Sequence, residues 1–186
     1  MSTNTVNAYT ALTGTWTIDP AHSRVGFVAR HAMVTKVRGQ FREVDGHITI
    51  DADQPKNSSA VVTLQVASID TGQAQRDEHL RSADFFEAEK YPTISFRSTD
   101  VEVDGEKIVL KGDLSIKETT APVTLELEYG GTAKDPFGNT RAGFEGKTTV
   151  NRKDWGLTWN AALETGGVLV SEKVTLEFEI SLIKTA

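Results

Sequence analysis

Apolar and polar residues alternate along most of this chain with the two-residue period of a strand that buries one face. The longest example runs from Val170 to Ile183 and would extend roughly 45 Å at about 3.3 Å per residue. The pattern predicts a long strand that curves around a core. Its apolar face carries Val170, Val174, Leu176, Phe178, Ile180 and Leu182.

Shorter segments repeat the alternation. Asp45-Gly46 and Asp104-Gly105 are typical of turns between such strands. Many sequentially paired strands with one apolar face favour an all-β fold, an extended antiparallel eight-stranded β-barrel with one or two short helices, over a sandwich. We expect this single barrel domain over residues 14–186 and a disordered N-terminus over residues 1–13. The further alternating segments are 16–18, 25–29, 48–50, 60–66, 94–96, 108–116, 123–129 and 142–150, with 35–43 as another strand.

Several small residues fall on the apolar side of the predicted strands. They are compatible with the corners and bulges that a barrel needs. They are also compatible with an interior that is not filled, because an eight-stranded barrel either packs its interior with side chains or holds one small ligand. We favour the cavity, with an aromatic lining. The small residues are Ala29, Gly39, Gly112, Ala142 and Gly146, and the aromatic ones are Phe27, Phe41, Phe96 and Phe144.

The alternation is interrupted between the strands near residues 66 and 93. Helix formers from Gln73 to Ser82 predict a short helix that Asp70 or Thr71 caps. Tyr91-Pro92 then favours an extended entry into the next strand. We interpret the segment as a closure of one barrel end, in which polar side chains fix the helix and apolar ones turn inward. The polar residues are Arg76, Asp77 and His79, and the apolar ones are Leu80, Phe85 and Phe86.

Composition narrows the class of protein. The formal net charge is −6, which argues against a nucleic-acid partner. The chain has no cysteine, so it forms neither disulfides nor thiolate metal sites. The first residues show no basic segment followed by an apolar one, and no apolar run approaches the roughly 18 residues of a spanning helix. We therefore expect a cytoplasmic protein without stable membrane insertion.

Catalytic and metal patterns are weak. The four histidines form no paired metal-ligand motif, so no metal is expected. His22 and Ser23 are adjacent on a predicted strand, which directs their side chains to opposite faces. No nucleophile elbow, phosphate loop or cofactor motif is present, so no cofactor is expected. The chain is predicted not to be an enzyme; the alternative is that His31 or His79 acts as an acid or base.

One basic stretch contrasts with the acidic chain. It runs from His22 to Arg42 and contains no acidic residue. One interpretation is a solvated strand pair matched by neighbouring carboxylates; the other is a basic rim that attracts an anionic head group. His31 is in phase with Val25 and Phe27, so it is a candidate for a polar anchor pointing inward, or for a structural histidine. His31 and Arg38 are our candidates for contact with a head group.

Long segments of the chain resemble the YceI-like, polyisoprenoid-binding proteins. The resemblance rests on DPAHSRVGFVARHAM (19–33), RDEHLRSADFF (76–86) with YPTISF (91–96), and NRKDWGL (151–157). It implies a lipocalin-like barrel with a hydrophobic tunnel and no catalytic site. It also implies that the protein carries, transports or sequesters a long-chain isoprenoid such as a prenyl pyrophosphate or quinone, or a similar amphipathic lipid.

Eleven residues are predicted to line the tunnel. Two alternatives remain open beside lipid binding: an enzyme acting on a lipid-like substrate, and an interaction module whose barrel is filled. Exposed antiparallel strands are also compatible with a homodimer. The predicted lining residues are Phe27, Met33, Phe41, Ile48, Leu64, Phe85, Phe86, Phe96, Leu114, Phe144 and Trp155.

Overall fold

The computed structural model describes residues 11–161, 163 and 169–186. Within them the chain forms eleven β-strands, one α-helix and four short 3-10 turns. Residues 1–10, which make up most of the predicted disordered N-terminus, lie outside the described part. The strands are β1 Gly14–Ile18, β2 Arg24–His31, β3 Thr35–Phe41, β4 Val44–Ile50, β5 Ser59–Gln65, β6 Ile69–Asp70, β7 Thr93–Asp104, β8 Lys107–Ile116, β9 Thr119–Lys134, β10 Thr140–Asn151 and β11 Lys173–Lys184; the helix α1 is Ala74–Arg81.

Eight antiparallel strands close into a barrel in the order β1-β4-β5-β7-β8-β9-β10-β11, and β11 pairs back to β1. The closing register sets Trp16 opposite Lys184 and Ile18 opposite Leu182. The first half of β11 pairs instead with β2, which continues into β3 and the two-residue β6. The predicted eight-stranded barrel with a short helix is therefore confirmed, and the hairpin β2–β3 extends its wall.

The long strands follow from the alternating pattern. β11 spans 12 residues and β9 spans 16. The Asp104-Gly105 turn is confirmed, because Asp104 pairs with Lys107 and Gly105 takes the left-handed φ of +62° that favours glycine there. These strands are long enough to leave a deep interior.

The predicted turn at Asp45-Gly46 is wrong. Both residues lie inside β4, and the chain turns between β3 and β4 at Arg42 and Glu43. Gly46 is needed for close packing: a Cβ at this position would lie 2.4 Å from Cδ1 of Ile18. In some strands a glycine is required because a neighbouring side chain packs over it. The sequence alone does not distinguish such a glycine from one in a turn.

Two other glycines accommodate aromatic rings on the inner wall. A Cβ at Gly39 would lie 2.4 Å from the Phe27 ring, and one at Gly112 would lie 2.5 Å from the Phe96 ring. The outer atoms of each ring therefore occupy the space that a side chain on the neighbouring strand would otherwise fill. The two glycines thus leave room for large rings on the inner wall.

The helix α1 lies where the sequence predicted it, but its cap differs. Gln73 precedes its first residue and makes no side-chain cap bond, so neither Asp70 nor Thr71 is the cap. Asp77, one turn into the helix, instead accepts hydrogen bonds from the backbone N–H and the hydroxyl of Thr71. The contact ties α1 back to the segment that follows β6.

No helix in the described part of the chain is both long and apolar enough to cross a membrane.

Candidate ligand-binding site

The barrel encloses a cavity of about 660 Å³. Its lining is almost entirely aliphatic and aromatic because the inward positions of the alternating strands converge on it. Every strand of the closed ring contributes. The β11 contribution shows the pattern most clearly and consists of Val174, Leu176, Phe178, Ile180 and Leu182.

One end of the cavity is closed by the segment that follows α1 and by the 3-10 turn after β10. Phe85 is 6% exposed and its ring packs on those of His79 and Trp159, at centroid distances of 5.2 and 5.4 Å. Phe86 meets the Phe41 ring edge-on at 6.0 Å. Trp155 is buried and its Nε1 donates a 2.8 Å hydrogen bond to the carbonyl of Leu114.

Polar bonds hold this closure in position. The Arg76 guanidinium donates two 2.7 Å hydrogen bonds to Thr71, one to the hydroxyl and one to the carbonyl. His79 Nε2 lies 2.9 Å from Asp84 Oδ2, which spans the break after the helix. Leu80, on the same helix, lines the cavity. The polar residues of this segment are thus held by Thr71 and Asp84, and the apolar Leu80, Phe85 and Phe86 line the cavity.

The other end of the cavity is more polar and more open. Asp51 and Asp53 in the β4–β5 connection line it, together with Val103, which is 38% exposed. Gly14 pairs with Ile50 and Trp16 pairs with Lys184, so Asp51 lies beside the end of β11. The closed end lies at the start of β11, some 11 residues and roughly 36 Å of strand away.

Arg152 is the one cation among the described residues that line the cavity, and its position in the sequence did not single it out. It follows β10 at the closed end, where it is only 5% exposed. Its Nε donates to the carbonyl of Ser171 at 2.8 Å, and its terminal nitrogens donate to the carbonyls of Leu157 and Val170. Burial lowers the pKa of this guanidinium, and the charge of Glu172 opposes that shift. The feature of the sequence that could have identified Arg152 is its place between the apolar Val150 and Trp155, at the end of a predicted strand.

A separate ionic network lies on the outer wall. Arg141 on β10 bonds Asp19 and Asp135, each at 2.7 Å. The Arg141 guanidinium lowers the pKa of Asp135 to about 2 and also lowers that of Asp19. The network joins the β1–β2 connection to the β9–β10 turn and does not face the cavity.

Ten of the eleven predicted lining residues border the cavity. Met33 does not: it is 56% exposed and has a left-handed φ of +66°. It occupies the tip of the β2–β3 hairpin, where the inward alternation of β2 has already ended. The ten lining residues are Phe27, Phe41, Ile48, Leu64, Phe85, Phe86, Phe96, Leu114, Phe144 and Trp155.

His31 and Arg38 are not among the residues that line the cavity. His31 is exposed at the end of β2, where it pairs with Val170, so its predicted inward orientation is wrong. Arg38 is exposed on β3 opposite Val28. Among the described residues, no three His, Asp or Glu side chains come together as a metal site would require.

These features define a hollow, lipocalin-like antiparallel barrel that is closed at one end. A model of the YceI-like domain matches residues 16–182. The chain therefore belongs to the YceI-like family, as its motifs indicated.

A curated relative agrees with this assignment, and two solved structures share the fold. A UPF0312 protein of Photorhabdus laumondii is 42% identical over 152 residues, which are 81% of this chain and 79% of that protein. The crystal structure of Burkholderia cenocepacia BcnA superposes with a TM-score of 0.77 at 24% identity, covering 88% of this chain and 98% of that one. A polyisoprenoid binding domain from Saccharophagus degradans gives a TM-score of 0.69 at 15% identity, with 91% and 98% covered. The two structural likenesses show the shared fold.

Proposed function

We propose that this protein binds a long-chain isoprenoid or similar amphipathic lipid in its barrel, and carries or sequesters it. The observation that carries the proposal is the apolar cavity of about 660 Å³. Cavities lined by hydrophobic side chains are the usual sites for apolar ligands. A filled barrel, which an interaction module would have, does not account for this volume. The polyisoprenoid binding domain that shares the fold supports the ligand class.

The cavity volume sets the length of chain that fits inside. An engineered cavity of about 150 Å³ accommodates benzene, or about 25 Å³ per carbon atom. At this ratio the barrel holds about 26 carbon atoms, or about five isoprene units. Longer chains must extend beyond the open end near Val103.

Burial of such a chain supplies ample free energy. At about 0.8 kcal/mol per methylene, a chain of that length contributes about 20 kcal/mol gross. This figure reaches the roughly 18 to 21 kcal/mol ceiling of non-covalent affinity, so ordering of the chain and imperfect packing must offset part of it. The tail therefore supplies the affinity, and no catalytic group is needed for the proposed role.

The proposal also assigns the protein no enzymatic reaction. Neither His31 nor His79 lines the cavity. The His79 ring is packed against Phe85 and Trp159 and its Nε2 is engaged by Asp84, which suits a structural role.

The test is a series of prenols from 10 to 40 carbons, titrated against the purified protein after organic extraction of any bound lipid. We expect the affinity to rise with chain length up to about 25 carbons and then level off, because further units remain outside the cavity. Mass spectrometry of the extract should show a long apolar ligand. Absence of a ligand together with no prenol binding would contradict the proposal.

A matched pair of variants locates the binding. Leu125→Trp adds volume inside the cavity, whereas Thr124→Trp adds the same side chain at the next, exposed position of β9. We expect Leu125→Trp to shorten the chain length at which the affinity levels off, and Thr124→Trp to leave it unchanged. Equal effects would show that the prenol binds elsewhere.

A further inference from the structure

Arg152 is a buried charge whose hydrogen bonds, in the part of the chain that the structure describes, all go to neutral groups. It is 5% exposed, and its three hydrogen bonds to described residues all end on backbone carbonyls. A guanidinium carries five N–H donors, so two remain after these bonds, one on each terminal nitrogen. A buried cation is ordinarily matched by an anion because its desolvation is costly.

The nearby Glu172 carboxylate acts on Arg152 through its charge but forms no ion pair with it, so it supplies only part of that match. Glu172 is exposed and its side chain pairs with Lys153 at 2.7 Å. Among the described residues, no carboxylate lies within ion-pair distance of Arg152. Arg152 nevertheless borders the cavity, so a bound molecule can reach it.

Charge is distributed unequally along the cavity. Arg152 lies at the closed end, and among the described lining residues the other charged ones are Asp51 and Asp53, at the opposite end of β11. This arrangement attracts a negative group to the closed end and repels it from the open one. It therefore favours a single orientation of an amphipathic anion.

We infer that the barrel selects lipids with a terminal carboxylate, which the Arg152 guanidinium binds at the closed end while the tail extends toward Asp51 and Asp53. The inference rests on the proposed lipid binding. One negative charge matches the one buried cation, and two carboxylate oxygens match its two remaining donors. The ligand class is thus a long-chain or isoprenoid carboxylic acid of up to about 26 carbons.

Geranylgeranoic acid and geranylgeraniol test this, because they share one 20-carbon tail and differ in the head group. We expect the acid to bind at least about tenfold more tightly, as a hydrogen bond to a charged group implies. Equal binding, or tighter binding of the alcohol, overturns the carboxylate assignment and leaves lipid binding intact. Failure of both to bind overturns lipid binding itself.

Two variants test whether Arg152 is responsible for the preference for the acid over the alcohol. Arg152→Gln should bring the two affinities within about twofold, mainly by weakening the acid. Arg97→Gln removes an exposed arginine that does not line the cavity and should retain the full preference. A preference that survives in folded Arg152→Gln overturns the assignment.

A measurement on the unaltered protein covers the case in which Arg152→Gln does not fold. The carboxyl group of ¹³C-labelled geranylgeranoic acid is titrated by NMR in the bound state. Beside Arg152 its pKa should fall below that of the free acid, since a neighbouring cation favours the charged form. A raised pKa, which apolar burial alone produces, overturns the inference.

Discussion

Phe85→Ala tests whether the segment after α1 is an integral closure of the barrel. Replacing a buried phenylalanine by alanine costs about 3 to 5 kcal/mol. Phe85 is 6% exposed and loses ring contacts with His79 and Trp159. It also borders the cavity, so it has fewer neighbours on one side than a fully packed ring. We therefore expect the lower end of the range, about 3 kcal/mol in the free energy of unfolding.

That loss is measurable without abolishing the fold, because domains have about 5 to 15 kcal/mol of stability. It corresponds to a fall in Tm of about 6 to 12 °C for a chain of this size. Urea unfolding followed by tryptophan fluorescence gives the free energy, and a thermal scan gives Tm.

Phe137→Ala is the matched control for this variant. Phe137 is 88% exposed, so the same substitution should change the free energy of unfolding by less than about 0.5 kcal/mol. The extracted protein is used throughout, since bound lipid would add to the apparent stability. If Phe85→Ala behaves like Phe137→Ala and also retains prenol normally, the closure hypothesis is wrong.

Two further predictions concern the wall of the barrel. Gly39→Ala should destabilise the protein by about 1 to 3 kcal/mol because the added Cβ displaces the Phe27 ring. Gly143→Ala is the control, because its Cβ meets nothing within 4 Å and should leave the stability unchanged. Equal free energies of unfolding in urea for the two variants would contradict this. The pKa of Asp135 falls from 3.8 to about 2 in the folded protein, so its contribution to stability is present above pH 3.8 and is lost as the pH falls toward 2. Asp135→Asn should therefore lose less stability over that interval, and an unchanged slope of unfolding free energy against pH would refute the role of the Arg141–Asp135 pair.

The strands were predictable because alternation is a local property. Each inward residue of β11 is two positions from the next, and the buried set reads directly from the sequence. The pairing of β11 with both β1 and β2 was not predictable, because it depends on contacts between residues more than 140 positions apart. The same limit explains Gly46, whose role depends on Ile18 from another strand.

The lining of the candidate site was also largely predictable, whereas its ends were not. Phe85 and Phe86 come directly after a polar segment, and this change from polar to aromatic residues indicates that the chain turns inward. The prediction for Met33 was wrong because strand β2 ends two residues earlier, at His31, and the chain reverses direction in the hairpin there. Arg152 was missed because an arginine at a strand end is ordinarily solvated.

By itself, the sequence determines an antiparallel barrel, because long alternating strands supply the wall, and its small inward residues favour an interior that is not filled. Only the tertiary structure decides where charge meets the cavity. Burial of Arg152 at the closed end and placement of Asp51 at the other depend on how β4, β10 and β11 align around the ring. Side-chain burial is a property of packed neighbours, so no local pattern along the chain can assign it.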